Sequence, residues 1–237
     1  MGKYEILLWD VDQTLLDFEK SQEYALFECF KQYGRRADQK ILSLYGEINT
    51  SFWKRYELGE VTKAELLTGR FAALFSRLGI EDLSPKDFQQ TYQKELGSVF
   101  YFRDNADQLC SKLKGVVRQY AVTNGVSSTQ RNKLHLSGLD QILDDIFISE
   151  EIGAPKPQLQ YFEACFQKIP DFRKDKALII GDSLSSDMQG GNAAGIACCW
   201  YNPEGKENHT ELKIDYEIRN LWEVEELLSW QKAPTRN

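Results

Sequence analysis

No apolar run in the 237-residue chain approaches the ~20 residues that a membrane-spanning helix requires, so no such helix is expected. The first residues also lack the cationic stretch, long apolar stretch and small-residue cleavage site of a secretion signal. Ile6 stands where a myristoylation signal wants Ser or Thr. A soluble, cytoplasmic protein is the expectation. Cysteine is sparse and poorly spaced for a framework: Cys29, Cys110, Cys165, Cys198 and Cys199 form an odd set with no CxxC pair. That argues against disulfides and structural zinc, and for buried thiols in a reducing compartment. Histidine is nearly absent, and both copies, His135 in a helical segment and His209 in a polar loop, read as surface residues. Positive charge is short as well, with 29 Lys and Arg against 36 Asp and Glu and a net charge of −7. Without a Lys/Arg stripe a nucleic-acid polymer is not an expected partner, whereas a local cationic pocket for a small anion is compatible with this balance. Internal repeats and low-complexity tracts are missing too, and only the polar tail Gln231 to Asn237 is expected to fray.

What the chain does have is 42% hydrophobic content, enough to bury a sizeable core in one large domain or a domain with an insertion. After a first strand at about residues 4 to 9, the stretch from Asp17 to Leu96 carries helical apolar spacing and little strand character. Tyr24, Phe27 and Phe30 mark one segment, Leu42, Leu44, Tyr45 and Ile48 a second, and Leu66, Leu67, Phe71, Leu74, Phe75 and Leu78 a third. From about Asn105 the texture changes to short apolar runs alternating with helices. Strands are expected at residues 119–123, 146–149, 177–180 and 197–201, with a weaker one at 216–218, and helices at about 127–137, 158–168, 186–194 and 221–230. Alternation of this kind implies an α/β fold, a doubly wound and mainly parallel sheet covered by helices on both faces, here with an inserted all-helical segment. The division reads as a core of residues 1–16 and 100–237 and a helical cap of residues 17–99.

The first strand runs into Asp10-Val11-Asp12-Gln13-Thr14, two carboxylates one residue apart. Open α/β sheets keep their sites at the carboxyl ends of strands, which makes the pair a candidate for chemistry; taken alone, an Asx-rich turn is the other reading. The next strands end in Thr123-Asn124-Gly125, in the loop Pro155-Lys156-Pro157, and in Gly181-Asp182-Ser183-Leu184-Ser185-Ser186-Asp187. Each of these is equally at home as a turn, a solvated lysine or a helix cap. In a doubly wound sheet, however, all of these ends lie on one edge, so Asp10, Asp12, Thr123, Lys156, Asp182 and Asp187 are expected to converge.

With these four motifs the chain resembles the haloacid dehalogenase superfamily of aspartate-nucleophile phosphohydrolases, and the helical insertion resembles that family's cap. The fold hosts several chemistries. The dehalogenase branch lacks an acid two residues after its nucleophile, so the resemblance, with Asp12 present, implies phosphoryl transfer. It implies Asp10 as nucleophile, forming an aspartyl-phosphate, and Asp12 as general acid and then base. Crowded acids and a phosphate dianion call for a cation. Mg²⁺ suits an all-oxygen shell that includes the Asp10 and Asp182 carboxylates and the Asp12 backbone carbonyl. Asp187 is implied to orient that shell from behind it. Lys156, the Thr123 hydroxyl and the Asn124 backbone N–H are implied to bind the phosphate.

A narrower resemblance, to the bacterial pyrimidine 5′-nucleotidases of the same superfamily, rests on five segments. They are Phe52-Trp53-Lys54-Arg55-Tyr56-Glu57-Leu58-Gly59, Arg70-Phe71, Ile148-Ser149-Glu150-Glu151-Ile152-Gly153, Gly190-Gly191-Asn192 and Cys199-Trp200-Tyr201-Asn202-Pro203. It implies a Mg²⁺-dependent nucleoside monophosphatase acting on a small phosphate monoester. A sugar-phosphate or phosphoglycolate phosphatase is the alternative, followed by a haloacid dehalogenase or a non-enzymatic binding module. The cap aromatics, Trp53 among them, fit core packing as well as base stacking, and Arg70 fits either a substrate contact or an ion pair with a cap acid. Gly190, Gly191 and Gly195 are expected to allow close helix–sheet packing. Gln13 and Trp9 depart from the family pattern, at positions that are often Gly or acidic and Phe, respectively.

Overall fold

The structure is a computed structural model that describes residues 3–228. By its internal contacts the chain divides into two compact units, one of residues 3–17, 102–125 and 137–228, the other of residues 18–101 and 126–136.

The first unit is built on a sheet of six parallel strands: β1 (Ile6–Trp9), β2 (Arg118–Thr123), β3 (Asp145–Ile148), β4 (Ala177–Gly181), β5 (Ala197–Tyr201) and β6 (Tyr216–Ile218). Their order across the sheet is β3-β2-β1-β4-β5-β6. The expected α/β architecture is borne out. The inner strands are buried along nearly their whole length, β1 and β4 completely, as expected when helices cover both faces. Helices α5 (Ala106–Leu113), α7 (Ser149–Ile152), α8 (Leu159–Lys168), α9 (Gln189–Ala194) and α10 (Val224–Leu228) belong to this unit. On one face Phe162, Tyr161 and Phe166 of α8 pack with Ile6, Leu8, Val122, Phe147 and Ile179 of the strands. Burying each such side chain is worth roughly 1.5–3 kcal/mol. A Cβ at Gly190 would overlap the Phe162 ring, and one at Gly191 would come 2.6 Å from Cys198 Sγ, so both glycines serve close packing. Gly195 does not: nothing lies within 4 Å of its position, and its role is the left-handed C-cap of α9, with φ of 72°.

Several boundaries differ from expectation. The first strand starts two residues late, at Ile6, and Ser149 opens α7 instead of closing β3. Helix α5 is an addition to the elements expected from the apolar pattern. The final helix begins as a 3₁₀ turn at Leu221–Glu223, continues as α10, and residues 229 and 230 of the expected segment lie outside the described residues, as does the 231–237 tail.

The second unit contains α1 (Phe18–Gln32), α2 (Gln39–Glu57), α3 (Lys63–Leu78), α4 (Pro85–Gly97) and α6 (Ser127–Leu136). Local signals fix the ends. Asp38 accepts the Ile41 N–H, Thr62 and Glu65 form a reciprocal capping box, Ser84 precedes Pro85 at the start of α4, and Gly79 closes α3 in the left-handed region. The core is aromatic, with Phe30, Tyr45, Phe71, Phe75, Phe88 and Tyr92 buried together. Helix α6, assigned to the core by the sequence division, packs here on α4, and Thr129 Oγ1 donates to Gln93 Oε1 at 2.7 Å. Arg70 is 1% exposed, and amides hold it where an acid was one of the expected partners. Its Nη1 donates to Asn49 Oδ1 at 2.6 Å and its Nη2 to Gln89 Oε1 at 3.0 Å, while Tyr45, Phe71 and Tyr92 present rings to the guanidinium. Trp53 is half-buried, edge-on to Tyr56 at 5.8 Å, with the Lys63 ammonium 4.9 Å from its ring centre. All five cysteines are free and buried, and burial pushes the Cys29, Cys110 and Cys165 thiols up to about 12. Among the described residues no helix is long and apolar enough to cross a membrane.

Candidate active site

Strand β1 lies between β2 and β4, where the direction of strand succession reverses, and its last residue, Trp9, is in register with Ala121 and Ile180. The following residue, Asp10, leaves the sheet between two neighbouring strand ends and donates its N–H to the Ile180 carbonyl at 2.9 Å. This is the switch point at which open α/β sheets form their crevice. Thr123 closes β2, and its hydroxyl accepts the Gly125 N–H at 3.0 Å. Asp182 follows β4, and its carbonyl accepts the Trp200 indole N–H at 2.9 Å.

Lys156 arrives from the loop between α7 and α8. Its buried ammonium donates to Asp10 Oδ1 at 2.7 Å, Asp187 Oδ1 at 2.7 Å and the Val122 carbonyl at 2.9 Å. These three bonds use all three of its donors. The Asn124 side chain, for which the sequence suggests no role, holds that loop: Nδ2 donates to the Lys156 carbonyl, and Oδ1 accepts the Lys156 N–H, both at 2.8 Å. Asp187 is carried by a wide π-type turn, Leu184–Met188, in which the Asp187 and Met188 N–H groups both reach the Ser183 carbonyl. The turn brings Asp187 Oδ2 back to the Ser183 N–H at 3.2 Å. Its carboxylate lies so close to Gly181 that a Cβ there would overlap it. Only glycine fits at that point.

One oxygen each of Asp10, Asp182 and Asp187 lies within 4.8 Å of the other two. Three carboxylates around one ammonium leave two negative charges unbalanced in a largely buried crevice, an expensive arrangement. The strain appears in the acids themselves. Burial pushes the Asp10 carboxyl up to about 7, with Asp187 and Asp12 adding to the rise and Lys156 opposing it. Burial, then the charges of Asp10 and Asp187, raises Asp182 well above the usual carboxylate range. Burial alone would lower the Lys156 ammonium, but Asp10 and Asp187 raise it, so it is charged. An all-oxygen donor set with surplus negative charge suits a hard divalent cation.

Of the expected site residues, Asp10, Lys156, Asp182 and Asp187 come together directly, and Thr123 and Asn124 border them through the end of β2 and the Lys156 loop. The Asp12 carboxylate is outside the three-acid cluster, on a half-buried loop that bridges back to Leu16. Gln13 and Trp9 contact other partners, Arg103 and Gln119.

Residues 4–195 match the family of haloacid dehalogenase-like hydrolases. The chain belongs to this family. It is therefore a hydrolase, and its relatives in the family narrow the kinship. It is 39% identical over 229 residues to the HAD-hydrolase YfnB of Bacillus subtilis (strain 168), covering 97% of each chain. A solved structure of YfnB bound to magnesium superimposes with a TM-score of 0.90 at 38% identity, covering 96% of this chain and 100% of that one. The pyrimidine 5′-nucleotidase PynA of Streptococcus pneumoniae (strain ATCC BAA-255 / R6) is 39% identical over 91% of each chain. The pyrimidine 5′-nucleotidase YjjG of Escherichia coli (strain K12) is 27% identical over 95% of this chain and 98% of its own. The expected resemblance to bacterial pyrimidine 5′-nucleotidases is thus borne out as similarity of sequence.

Proposed function

We propose that this hydrolase is a Mg²⁺-dependent phosphatase working through an aspartyl-phosphate, and that its substrates are pyrimidine nucleoside 5′-monophosphates. The observation that carries the reaction class is the Lys156 ammonium shared at 2.7 Å by Asp10 and Asp187, with Asp12 two residues beyond Asp10. Similarity to PynA and YjjG supports the choice of substrate. In this reading Asp10 attacks phosphorus, the bond to the ester oxygen breaks, and Asp12 gives that oxygen its proton. Water then attacks the phosphorus of the aspartyl-phosphate while Asp12 takes its proton, which releases inorganic phosphate and restores the Asp10 carboxylate. Lys156 favours the ionised form of Asp10 and offsets the charge of the phosphate through space, while the Thr123 hydroxyl and the Asn124 N–H bind the phosphoryl oxygens. Asp187 orients Lys156 from behind. Asp10, Asp182 and the Asp12 carbonyl would hold Mg²⁺, which when bound neutralises the acids and the phosphate dianion.

We assign catalysis to a core of residues 1–16 and 100–237 and choice of ester to a helical cap of residues 17–99, in a cytoplasmic enzyme with a small phosphate monoester as its partner. The test is hydrolysis with Mg²⁺ of pyrimidine and purine nucleoside monophosphates, sugar phosphates, phosphoglycolate and p-nitrophenyl phosphate, by the parent protein and Asp10→Asn. Abolished turnover in the variant, with the fold retained, is the expected result. Full activity in Asp10→Asn would sink the mechanism, and a better kcat/KM for phosphoglycolate or a sugar phosphate would remove the nucleotidase assignment.

A further inference from the structure

The loop that carries Asp12 has an unusual backbone. Gln13 sits at φ of 67°, in the left-handed region, which costs a residue with a side chain roughly 1–2 kcal/mol. Such strain persists only where the surroundings over-determine it. The surroundings here are specific. The Gln13 N–H donates to the Leu16 carbonyl at 2.7 Å and the Leu16 N–H to the Val11 carbonyl at 2.8 Å, closing a tight loop around Asp12. From outside the loop, Arg103 Nη2 donates to Gln13 Oε1 at 3.0 Å, and the Arg103 N–H donates to the Leu15 carbonyl at 3.1 Å.

Arg103 is itself anchored. The two residues after it, Asp104 and Asn105, are also left-handed, with φ of 48° and 55°. Asp104 Oδ2 accepts the Tyr201 hydroxyl and the Leu221 N–H, both at 2.9 Å, and its carbonyl accepts the Trp222 indole N–H at 2.8 Å. A continuous brace therefore runs from the end of β5 through Asp104 and Arg103 to Gln13, the residue next to Asp12. A glycine at position 13 would adopt the same φ without strain, but it would give Arg103 no side chain to hold.

We infer that Arg103, acting through Gln13, is a positioning residue that fixes the Asp12 carboxyl where it can protonate the leaving oxygen. The inference rests on the reading of Asp12 as general acid and base. A general acid placed by one neighbouring side chain is worth most when the leaving group is poor. An alkyl ester such as uridine 5′-monophosphate needs the proton, and p-nitrophenyl phosphate scarcely does.

The experiment compares Asp12→Asn, Arg103→Met, Gln13→Gly and the Arg103→Met, Gln13→Gly pair on both esters, with hydrogen exchange at the Gln13 and Leu16 amides as a readout independent of turnover. Asp12→Asn should lower kcat/KM, which reports the step that expels the leaving group, by ~10²–10⁴ on the alkyl ester with a much smaller effect on the aryl ester, while kcat falls on both because they share the hydrolysis of the aspartyl-phosphate. Arg103→Met should show the same split in kcat/KM at smaller size, on the order of tenfold on the alkyl ester, with faster exchange at both amides. On the Gln13→Gly background the Arg103 substitution should add little, because the contact is already gone. If Arg103→Met raises KM on both esters at unchanged kcat, Arg103 binds substrate and the inference is wrong. Equal loss of kcat/KM on both esters, or unchanged amide exchange, overturns it as well. If the parent turns over both esters but Asp12→Asn shows no split, or the parent turns over neither, the underlying reading of the site fails and the inference falls with it.

Discussion

Replacing Lys156 by Met tests the electrostatic reasoning without first knowing the substrate. The side chain is 2% exposed and makes two charge-assisted bonds to carboxylates and one to a carbonyl. Methionine is of similar length, so little of the effect comes from a cavity. What changes is charge: Asp10 and Asp187 lose the ammonium that pairs them, in a cluster whose acids Asp10 and Asp182 are already pushed up by burial and by one another. Removing one partner of a buried ion pair costs about 3–5 kcal/mol. In a chain of this size each kcal/mol moves Tm by roughly 2–4 °C, so the melting temperature without divalent cation should fall by about 6–20 °C. Differential scanning calorimetry measures this directly. Because Mg²⁺ brings the charge that Met lacks, adding it should raise the Tm of Lys156→Met by more than it raises the parent's. A variant that melts within about 2 °C of the parent in EDTA, with no larger response to Mg²⁺, would refute the argument that the buried acids need a counter-charge.

Two further outcomes follow from the same cluster. Gly181→Ala puts a methyl group into the Asp187 carboxylate, and urea denaturation should show a loss of about 1–3 kcal/mol together with weaker Mg²⁺ binding by calorimetric titration; an unchanged midpoint would show that the turn can yield. In metal-stripped protein the Asp10 carboxyl, raised to about 7, binds a proton more tightly when folded than when unfolded. Its contribution to stability is therefore greatest at low pH and is lost as pH rises from about 4 to 7. Denaturant midpoints across that window should fall in EDTA and flatten when Mg²⁺ is added, and a slope unaffected by the cation would count against the cluster as its origin.

Much of the sheet could be read from composition of short runs. Ala197–Tyr201 begins and ends where the apolar pattern does, because a buried parallel strand is apolar on both faces, and the edge strand Tyr216–Ile218, with Glu217 exposed, leaves the weaker trace expected of it. Helix α5 carries helical spacing in Ala106, Leu109, Cys110 and Leu113, all buried, but over only about two turns and without a start signal. Its eight residues include Asp107, Gln108, Ser111 and Lys112, and its N-cap Asn105 is left-handed and makes no capping bond. Asp10, Asp182 and Lys156 were legible because acids and a lysine gathered at consecutive strand ends serve chemistry more readily than they serve folding. The Asn124 clasp was not, since its partner is the backbone of a residue 32 positions away, and a backbone group leaves no mark in the sequence. Arg103 was invisible likewise, 90 positions from Gln13 and in no motif. The grouping of α6 with the helical unit depends on packing against α4, which periodicity alone does not encode.

The Asn124 clasp also bears on how the protein ages. Asn124 is followed by Gly125, and in a flexible chain this is the pairing in which a backbone nitrogen most readily attacks the side-chain amide and expels ammonia. In the folded site both ends of that amide are engaged by the Lys156 backbone, and the Gly125 nitrogen that would attack is committed to the Thr123 hydroxyl. Folding therefore shelters the residue chemically. Molecules that unfold lose the shelter, and an aspartate formed there would meet the Lys156 carbonyl with an acceptor where a donor is needed. The damage would be recorded at the loop that delivers the Lys156 ammonium, so spent molecules would refold with an impaired crevice instead of rejoining the active population.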